Sequence, residues 1–179
     1  MKFIETKIKG VYLIDLEKKE DERGFLARTW DARGFKQNGI DFNILQGYIT
    51  HSINKGTMRG VHYLRVPEQK LTKVIKGSVY EIVIDLRPDS ETFKQWQAFT
   101  LQDTDHKMLF VGPGIAHAIL TLEDNTELMS LYSPAYVPGN EGGIRYNDPE
   151  FNIDWPIEVK HVSEKDLSWE DFNDIKNQI

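Results

Sequence analysis

Apolar and polar residues alternate in short runs along most of the chain, and Gly, Pro, Asn and Asp separate the runs. The runs fall at 11–16, 42–51, 71–75, 79–86, 96–101, 107–111 and 127–132. A two-residue period places successive side chains on opposite faces of a strand. Many short strands divided by turn residues predict an all-β sandwich or barrel. A helical patch is expected at 29–37. The tail differs. Phe172, Ile175 and Ile179 recur at helical spacing behind the acidic pair Glu170 and Asp171, which predicts a short C-terminal helix packed on the barrel. No internal repeat, linker or low-complexity segment divides the sequence, so one domain over 1–179 is expected.

Several polar residues break this pattern where they could carry chemistry. In Arg59-Gly60-Val61-His62-Tyr63-Leu64, regular alternation puts Gly60, His62 and Leu64 on one face and Arg59, Val61 and Tyr63 on the other. A glycine beside His62 leaves room for a ligand, although a lone histidine equally fits a hydrogen-bonded structural role. Lys70 opens the next strand, with Thr72 and Val74 on its face; taken alone it reads as a solvated surface lysine. In 79–86, Tyr80, Ile82, Ile84 and Leu86 look like core. Glu81 and Asp85 share the other face, which either meets solvent or lines a polar cavity. His117 follows the turn Gly112-Pro113-Gly114 into a strand. His62 and His117 are two ligands where a transition metal takes three or four, so no metal site is expected. Asp166, in Ser163-Glu164-Lys165-Asp166, fits the N-terminal charge pattern of the tail helix.

Charge and composition narrow the partners. Asp and Glu number 28 against 22 Lys and Arg, a net charge of −6, and no basic run occurs. Nucleic acid is therefore not an expected partner, because a phosphate backbone demands clustered cations. A small phosphorylated ligand needs only one or two cations and stays open. No apolar run reaches the roughly 18 residues of a membrane span. The start MKFIETKIKG has no apolar stretch of the secretory kind, so no signal peptide is expected. The chain has no cysteine, which leaves out disulfides and thiolate metal sites and fits the cytoplasm.

Taken in order, the motifs resemble the dTDP-4-dehydrorhamnose 3,5-epimerases and their relatives acting on 4-keto nucleotide sugars. They include Asp21-x-Arg23-Gly24-Phe25, Lys55-Gly56-x-x-Arg59-Gly60-x-His62-Tyr63, Lys70-Leu71 and Asp85-x-Arg87-x-x-Ser90-x-Thr92-Phe93-x-x-Trp96. They continue through Pro113-x-x-Ala116-His117, Tyr136-x-Pro138, Asn147-Asp148-Pro149, Ile153-x-Trp155-Pro156 and Ser163-x-Lys165-Asp166. The resemblance runs from about Lys7 to Asp166. It implies a cupin jelly-roll (a double-stranded β-helix), a homodimer that exchanges N-terminal segments, and an epimerase working without metal or organic cofactor on a nucleotide-diphosphate sugar. It implies His62 as the base, Asp166 as its polarising partner and Lys70 as the group holding an enolate oxygen. Those residue types suit the task. A proton beside a ketone is weakly acidic, so the enolate must be stabilised as it forms. An imidazole accepts a proton near neutral pH, and a carboxylate fixes its tautomer. The resemblance also implies substrate contacts at Arg23, Arg28, Gln46, Arg59, His117, Ser130 and Tyr136.

Three positions depart from the family pattern. Ser130 stands where the family carries its acid, a tyrosine; Tyr132, two residues on, is the alternative donor. Arg28 replaces a glutamate beside the early arginine motif. Gln46 is displaced by one from the family's amide. Related outcomes are a nucleotide-sugar 3,4-ketoisomerase and a catalytically impaired relative that only binds sugar nucleotides.

Overall fold

The turn residues cut the chain into thirteen strands, three short α-helices and one 3-10 turn (Asp103–Asp105) among the described residues of this computed structural model, which are 1–133, 135 and 137–176. The first five strands are β1 (Lys2–Glu5), β2 (Val11–Asp15), β3 (Lys18–Asp21), β4 (Gly24–Ala27) and β5 (Gln46–Ser52), with α1 (Ala32–Gln37) between the last two. The body follows as β6 (Met58–Leu64), β7 (Gln69–Lys76), β8 (Ser78–Asp85), β9 (Trp96–Gln102), β10 (Lys107–Val111), β11 (Ile115–Thr121), β12 (Thr126–Ser133) and β13 (Glu141–Gly143). The chain then forms α2 (Glu164–Leu167) and α3 (Phe172–Ile175). One sheet has the order β1-β2-β10-β7-β12-β5, the second β13-β6-β11-β8-β9, and β3 and β4 form a separate hairpin. The strand pairs are antiparallel, as expected of a jelly-roll.

Hydrophobic side chains fill three layers. Between the sheets, Val74, Leu109 and Leu128 of the first meet Val79, Val83 and Ile119 of the second. On the outer face of the first sheet, Leu71, Met108 and Phe110 are covered by Phe35 of α1 and by Ile40 and Phe42. On the outer face of the second, Ile82, Ile84 and Leu120 are covered by Phe151, Phe172 and Ile175. Burying each such side chain stabilises the fold by about 1.5–3 kcal/mol. Covering both outer faces explains why β8 is buried on each side rather than alternating: Val79, Glu81, Val83 and Asp85 face the other sheet, and Ile82, Ile84 and Leu86 face the tail. Among the described residues, no helix is long and apolar enough to cross a membrane.

Several boundaries differ from the sequence expectation. The run 42–51 is a strand only from Gln46, because Phe42 leaves the ladder to pack on Phe35 and Phe110. The helical patch begins at Ala32, where the Asp31 carboxylate accepts from the Gly34 N–H and caps it. The tail forms two one-turn helices instead of one, since 168–171 turn the chain to let the Asp148 carboxylate accept from the Phe172 N–H. Ile179 lies outside the described residues. The β1 strand, the β3–β4 hairpin and β13 carry too little apolar alternation to be recognised; Lys18–Asp21 is fully polar.

Candidate active site

Inward-facing residues from both sheets converge on a cavity of about 640 Å³. Arg59 and His62 come from β6, Lys70 from β7, His117 from β11, Ser130 and Tyr132 from β12, and Asp166 from α2. Strict alternation would have put Arg59 and His62 on opposite faces. The ladder corrects this: His62 pairs with His117 and Arg59 with Ile119, so three steps on β6 match two on β11. The extra residue is a β-bulge, which resets the alternation and turns both side chains inward. Gly60 permits it. Its φ is +117°, and a Cβ there would lie 2.7 Å from the His117 carbonyl oxygen, closer than any side chain tolerates.

The tail brings Asp166 to His62. Ser163 caps α2 by accepting from the Asp166 N–H at 3.1 Å, a contact worth about 1 kcal/mol. Asp166 is therefore inside the helix rather than its cap, and its side chain is free to reach β6. His62 Nε2 lies 2.6 Å from Asp166 Oδ1. The same carboxylate accepts from Trp169 Nε1 at 3.2 Å and from the Gly60 N–H at 3.4 Å. Burial raises the Asp166 pKa, but the hydrogen bond and charge of His62, with the Gly60 and Trp169 donors, outweigh it and hold the group below its ordinary value. His62 is thus fixed through Nε2. Its Nδ1 lies 3.8 Å from Glu141 Oε1.

Lys70 is only 2% exposed, so the solvated-surface reading of this lysine does not hold. Its Nζ donates to His117 Nδ1 at 3.0 Å and lies 3.6 Å from Glu81 Oε1. Burial alone would push the ammonium down; Tyr132, Glu81 and Glu68 outweigh it and keep the group above its usual pKa. His117 is driven well below the ordinary imidazole value by burial, then by Lys70 and His62, so it accepts as a neutral ring. Glu81 is fully buried, and both its carboxyl oxygens, like Thr72 Oγ1, lack a hydrogen-bond partner among the described residues. Burial raises the Glu81 carboxyl despite Lys70 beside it. Both carboxylates on this face of 79–86 are thus buried rather than solvent-facing, among the valines of the intersheet core. Asp85 serves the turn: it accepts from Arg87, Ser90 and Thr92, and these bonds overcome burial to bring it down to about 2.

Ser130 and Tyr132 share the cavity face, as the two-residue spacing predicted. Their ladder partners on β7 are Thr72 and Lys70, and Lys70 Nζ is 5.8 Å from the Tyr132 ring centre. Arg59 reaches back to Ser52 Oγ at 3.1 Å and the His51 carbonyl at 3.1 Å, at the cavity rim. Other candidates lie elsewhere. Arg23 pairs with Asp21 on the exposed β3–β4 hairpin, and Arg28 pairs with Asp31 in a separate cavity beside α1. Gln46 heads β5, where its Oε1 accepts from Tyr48. These three residues do not line the His62 cavity: Arg23 lies on the exposed hairpin, Arg28 lines the cavity beside α1, and Gln46 is at the start of the edge strand β5. Tyr136 lies outside the described residues. Glu141, Trp169 and Glu68 were not anticipated. Trp169, three residues after Asp166, was recoverable from helical spacing; the other two depend on how loops return to the sheet ends.

These features define a class: a jelly-roll enzyme whose interior carries a carboxylate-held histidine on one sheet and a buried lysine on the facing one, equipped for proton transfer beside a carbonyl. Comparison with known proteins makes the class specific. The profile of dTDP-4-dehydrorhamnose 3,5-epimerase matches residues 5–174, and the chain belongs to that family. It is an epimerase of nucleotide-linked 4-keto-6-deoxy sugars, of the 3- or 3,5-type. The dTDP-4-dehydrorhamnose 3,5-epimerase of Methanothermobacter thermautotrophicus is 35% identical over 176 residues, spanning 94% of this chain and 92% of that protein. The dTDP-4-dehydrorhamnose 3-epimerase of Streptomyces niveus is 31% identical, spanning 89% and 78%. A crystal structure of the Legionella pneumophila 3,5-epimerase in complex with dTDP-4-keto-L-rhamnose aligns with a TM-score of 0.92 at 30% identity, covering 99% of this chain and 95% of that one.

Proposed function

We propose that the chain takes a dTDP-linked 4-keto-6-deoxy sugar and inverts a carbon beside the ketone through an enolate, with His62 as base, Lys70 on the enolate oxygen and Tyr132 as returning acid. The observation that carries this reading is the arrangement of groups around the cavity: His62 of the second sheet, held by Asp166 of α2, shares it with Lys70 and Tyr132 of the first. Inversion requires this, since the proton leaves one face of the carbon and another arrives on the opposite face. Arg59 at the rim suits the diphosphate, because guanidinium matches phosphate geometry.

Incubation with dTDP-4-keto-6-deoxyglucose in D2O tests the reading, with CDP-, UDP- and GDP-linked sugars run beside it. Deuterium at C3 or C5 of an inverted product supports it. A 3-keto product would instead identify a ketoisomerase, and binding without exchange an impaired relative. With Ser130 where the family has its phenol, inversion at C3 should outrun inversion at C5. Tyr132→Phe should slow inversion about 10²–10⁴-fold, the usual cost of a lost general acid. Ser130→Tyr should increase double inversion. Fast inversion at both carbons, unaffected by Tyr132→Phe, would remove Tyr132 from the mechanism.

We also propose a cytoplasmic homodimer. Phe25 and Leu26 on the hairpin and Tyr48 and Ile49 on the edge strand β5 are exposed apolar residues, and an uncovered strand edge invites pairing. A second copy seated there could bring Arg23 and Arg28 towards a neighbouring cavity. Sedimentation at micromolar concentration should show a dimer; a monomer throughout would overturn this assembly.

A further inference from the structure

The first sheet places a second phenol beside Tyr132. On the ladder between β5 and β12, Tyr48 stands opposite Ser130 and Gln46 opposite Tyr132. Directly opposed residues of an antiparallel pair share a face of the sheet. Ser130, Tyr132 and Thr50 line the His62 cavity, so Tyr48 lies on the cavity face of β5 and its neighbour Ile49 on the other. Tyr48 and Gln46 do not line the cavity themselves; they stand at its margin, on the edge strand.

Two rows of side chains cross this face. Tyr48, Ser130 and Thr72 form one, and Gln46, Tyr132 and Lys70 the next. The side chain opposite Tyr48 is the small Ser130, and the Tyr48 ring reaches past it on the diagonal to Tyr132. The ring centres are 5.5 Å apart and the planes cross at 71°. This edge-to-face arrangement is a favoured geometry for two aromatic rings. Lys70 Nζ also flanks the Tyr132 ring, 5.8 Å from its centre. Tyr48 is anchored in turn, because its hydroxyl donates to Gln46 Oε1 at 2.9 Å. Contacts therefore run from Gln46 through Tyr48 and Tyr132 to the buried Lys70. Tyr132 is only partly buried, and a phenol swings about two side-chain torsions. A donor serves a reacting carbon only when its neighbours hold it to one orientation, within about 0.5 Å.

We propose that Tyr48 is a positioning residue of this enzyme: its ring packs on Tyr132 and holds that phenol beside Lys70 at the cavity wall. The inference rests on the epimerase reading above, in which Tyr132 returns the proton. Tyr48 acts through its ring and transfers no proton itself, since its hydroxyl is turned to Gln46.

The test reads inversion and solvent exchange separately in D2O, with dTDP-4-keto-6-deoxyglucose as substrate. Tyr48→Ala should lower the kcat for inversion about 3–10-fold, the fold-change that one aromatic pair represents, with KM and His62-dependent deuterium entry unchanged. Tyr48→Phe keeps the ring and should stay within about 2-fold of the wild type. In a Tyr132→Phe background, Tyr48→Ala should cost nothing further, because residues that act through one contact are not additive. If Tyr48→Ala does not fold, Tyr48→Thr replaces it, since threonine keeps the strand preference without a ring. Unchanged inversion in Tyr48→Ala would overturn the proposal. So would a loss in Tyr48→Phe as large as in Tyr48→Ala, or a full additional loss in the double variant. A loss that follows a change in sedimentation, and disappears at concentrations restoring the wild-type assembly, would overturn it too, by making Tyr48 an interface residue. Undiminished inversion in Tyr132→Phe would remove the acid reading and the positioning role with it. A slowed Tyr132→Phe beside an unaffected Tyr48→Ala would remove the positioning role alone.

Discussion

His62→Ala is expected to abolish deuterium entry into the substrate while leaving dTDP binding nearly intact. The His62 imidazole is the one held by a carboxylate, and its Nε2 contact with Asp166 leaves Nδ1 to take the proton in the proposed reaction, whereas His117 is occupied by Lys70. Removing a general base typically costs about 10²–10⁴-fold. The nucleotide should still bind, because Arg59 is held independently by Ser52 and the His51 carbonyl. Asp166→Asn should slow exchange as well, since the amide neither stabilises the imidazolium nor enforces the tautomer. Trp169 and Gly60 also donate to this carboxylate, so the asparagine leaves one of three donors poorly matched. Isothermal titration with dTDP, run beside NMR-detected exchange, separates the two effects. Undiminished exchange in His62→Ala would exclude it as the base.

Lys70→Met should lose both activity and stability, and the two losses can be told apart. Activity falls because no ammonium remains to meet the enolate oxygen; losing one such stabilising group typically costs about 10²–10³-fold. Stability falls because Glu81, fully buried and 3.6 Å from Lys70, would lose its counter-charge. Breaking a buried pair from one side costs about 3–5 kcal/mol. The loss must depend on pH. Glu81 already has a raised carboxyl pKa, and Lys70 is what opposes the rise, so the variant raises it further. A carboxyl raised in the folded state leaves the fold unharmed below its unfolded value, about 4.3. The penalty grows as pH climbs from there towards the folded value. The Tm of Lys70→Met should therefore drop more at pH 8 than at pH 5. Adding Glu81→Gln should recover much of the stability and none of the activity. An equal drop at both pH values would show that removing Lys70 does not raise the Glu81 pKa further.

The chemistry of the site was legible where motif and alternation coincided. Ser130 and Tyr132 share a cavity face because β12 is regular, and the two-residue rule holds along a regular ladder. Arg59 and His62 defeat the same rule because Gly60 hosts a bulge, and a bulge depends on how closely the neighbouring strand approaches. Lys70 looked like a surface residue for a related reason. Its own strand does not reveal that Glu81 and His117, eleven and forty-seven positions away, will enclose it. Arg23, Arg28 and Gln46 mark the limit in the other direction: their motifs are readable, yet the fold does not bring them to the His62 cavity.

The sequence by itself determined the all-β class, most strand positions, the family and the residues His62, Asp166 and Lys70 as the candidates for its chemistry. Those depend on local period and on residue type, both carried by neighbouring positions. The tertiary structure alone decided that β8 is buried on both faces, that α2 delivers Asp166 to His62, and that Glu81 and His117 enclose Lys70. Each of these depends on contacts between segments far apart in the chain, where burial and charge are set by what packs opposite rather than by what comes next.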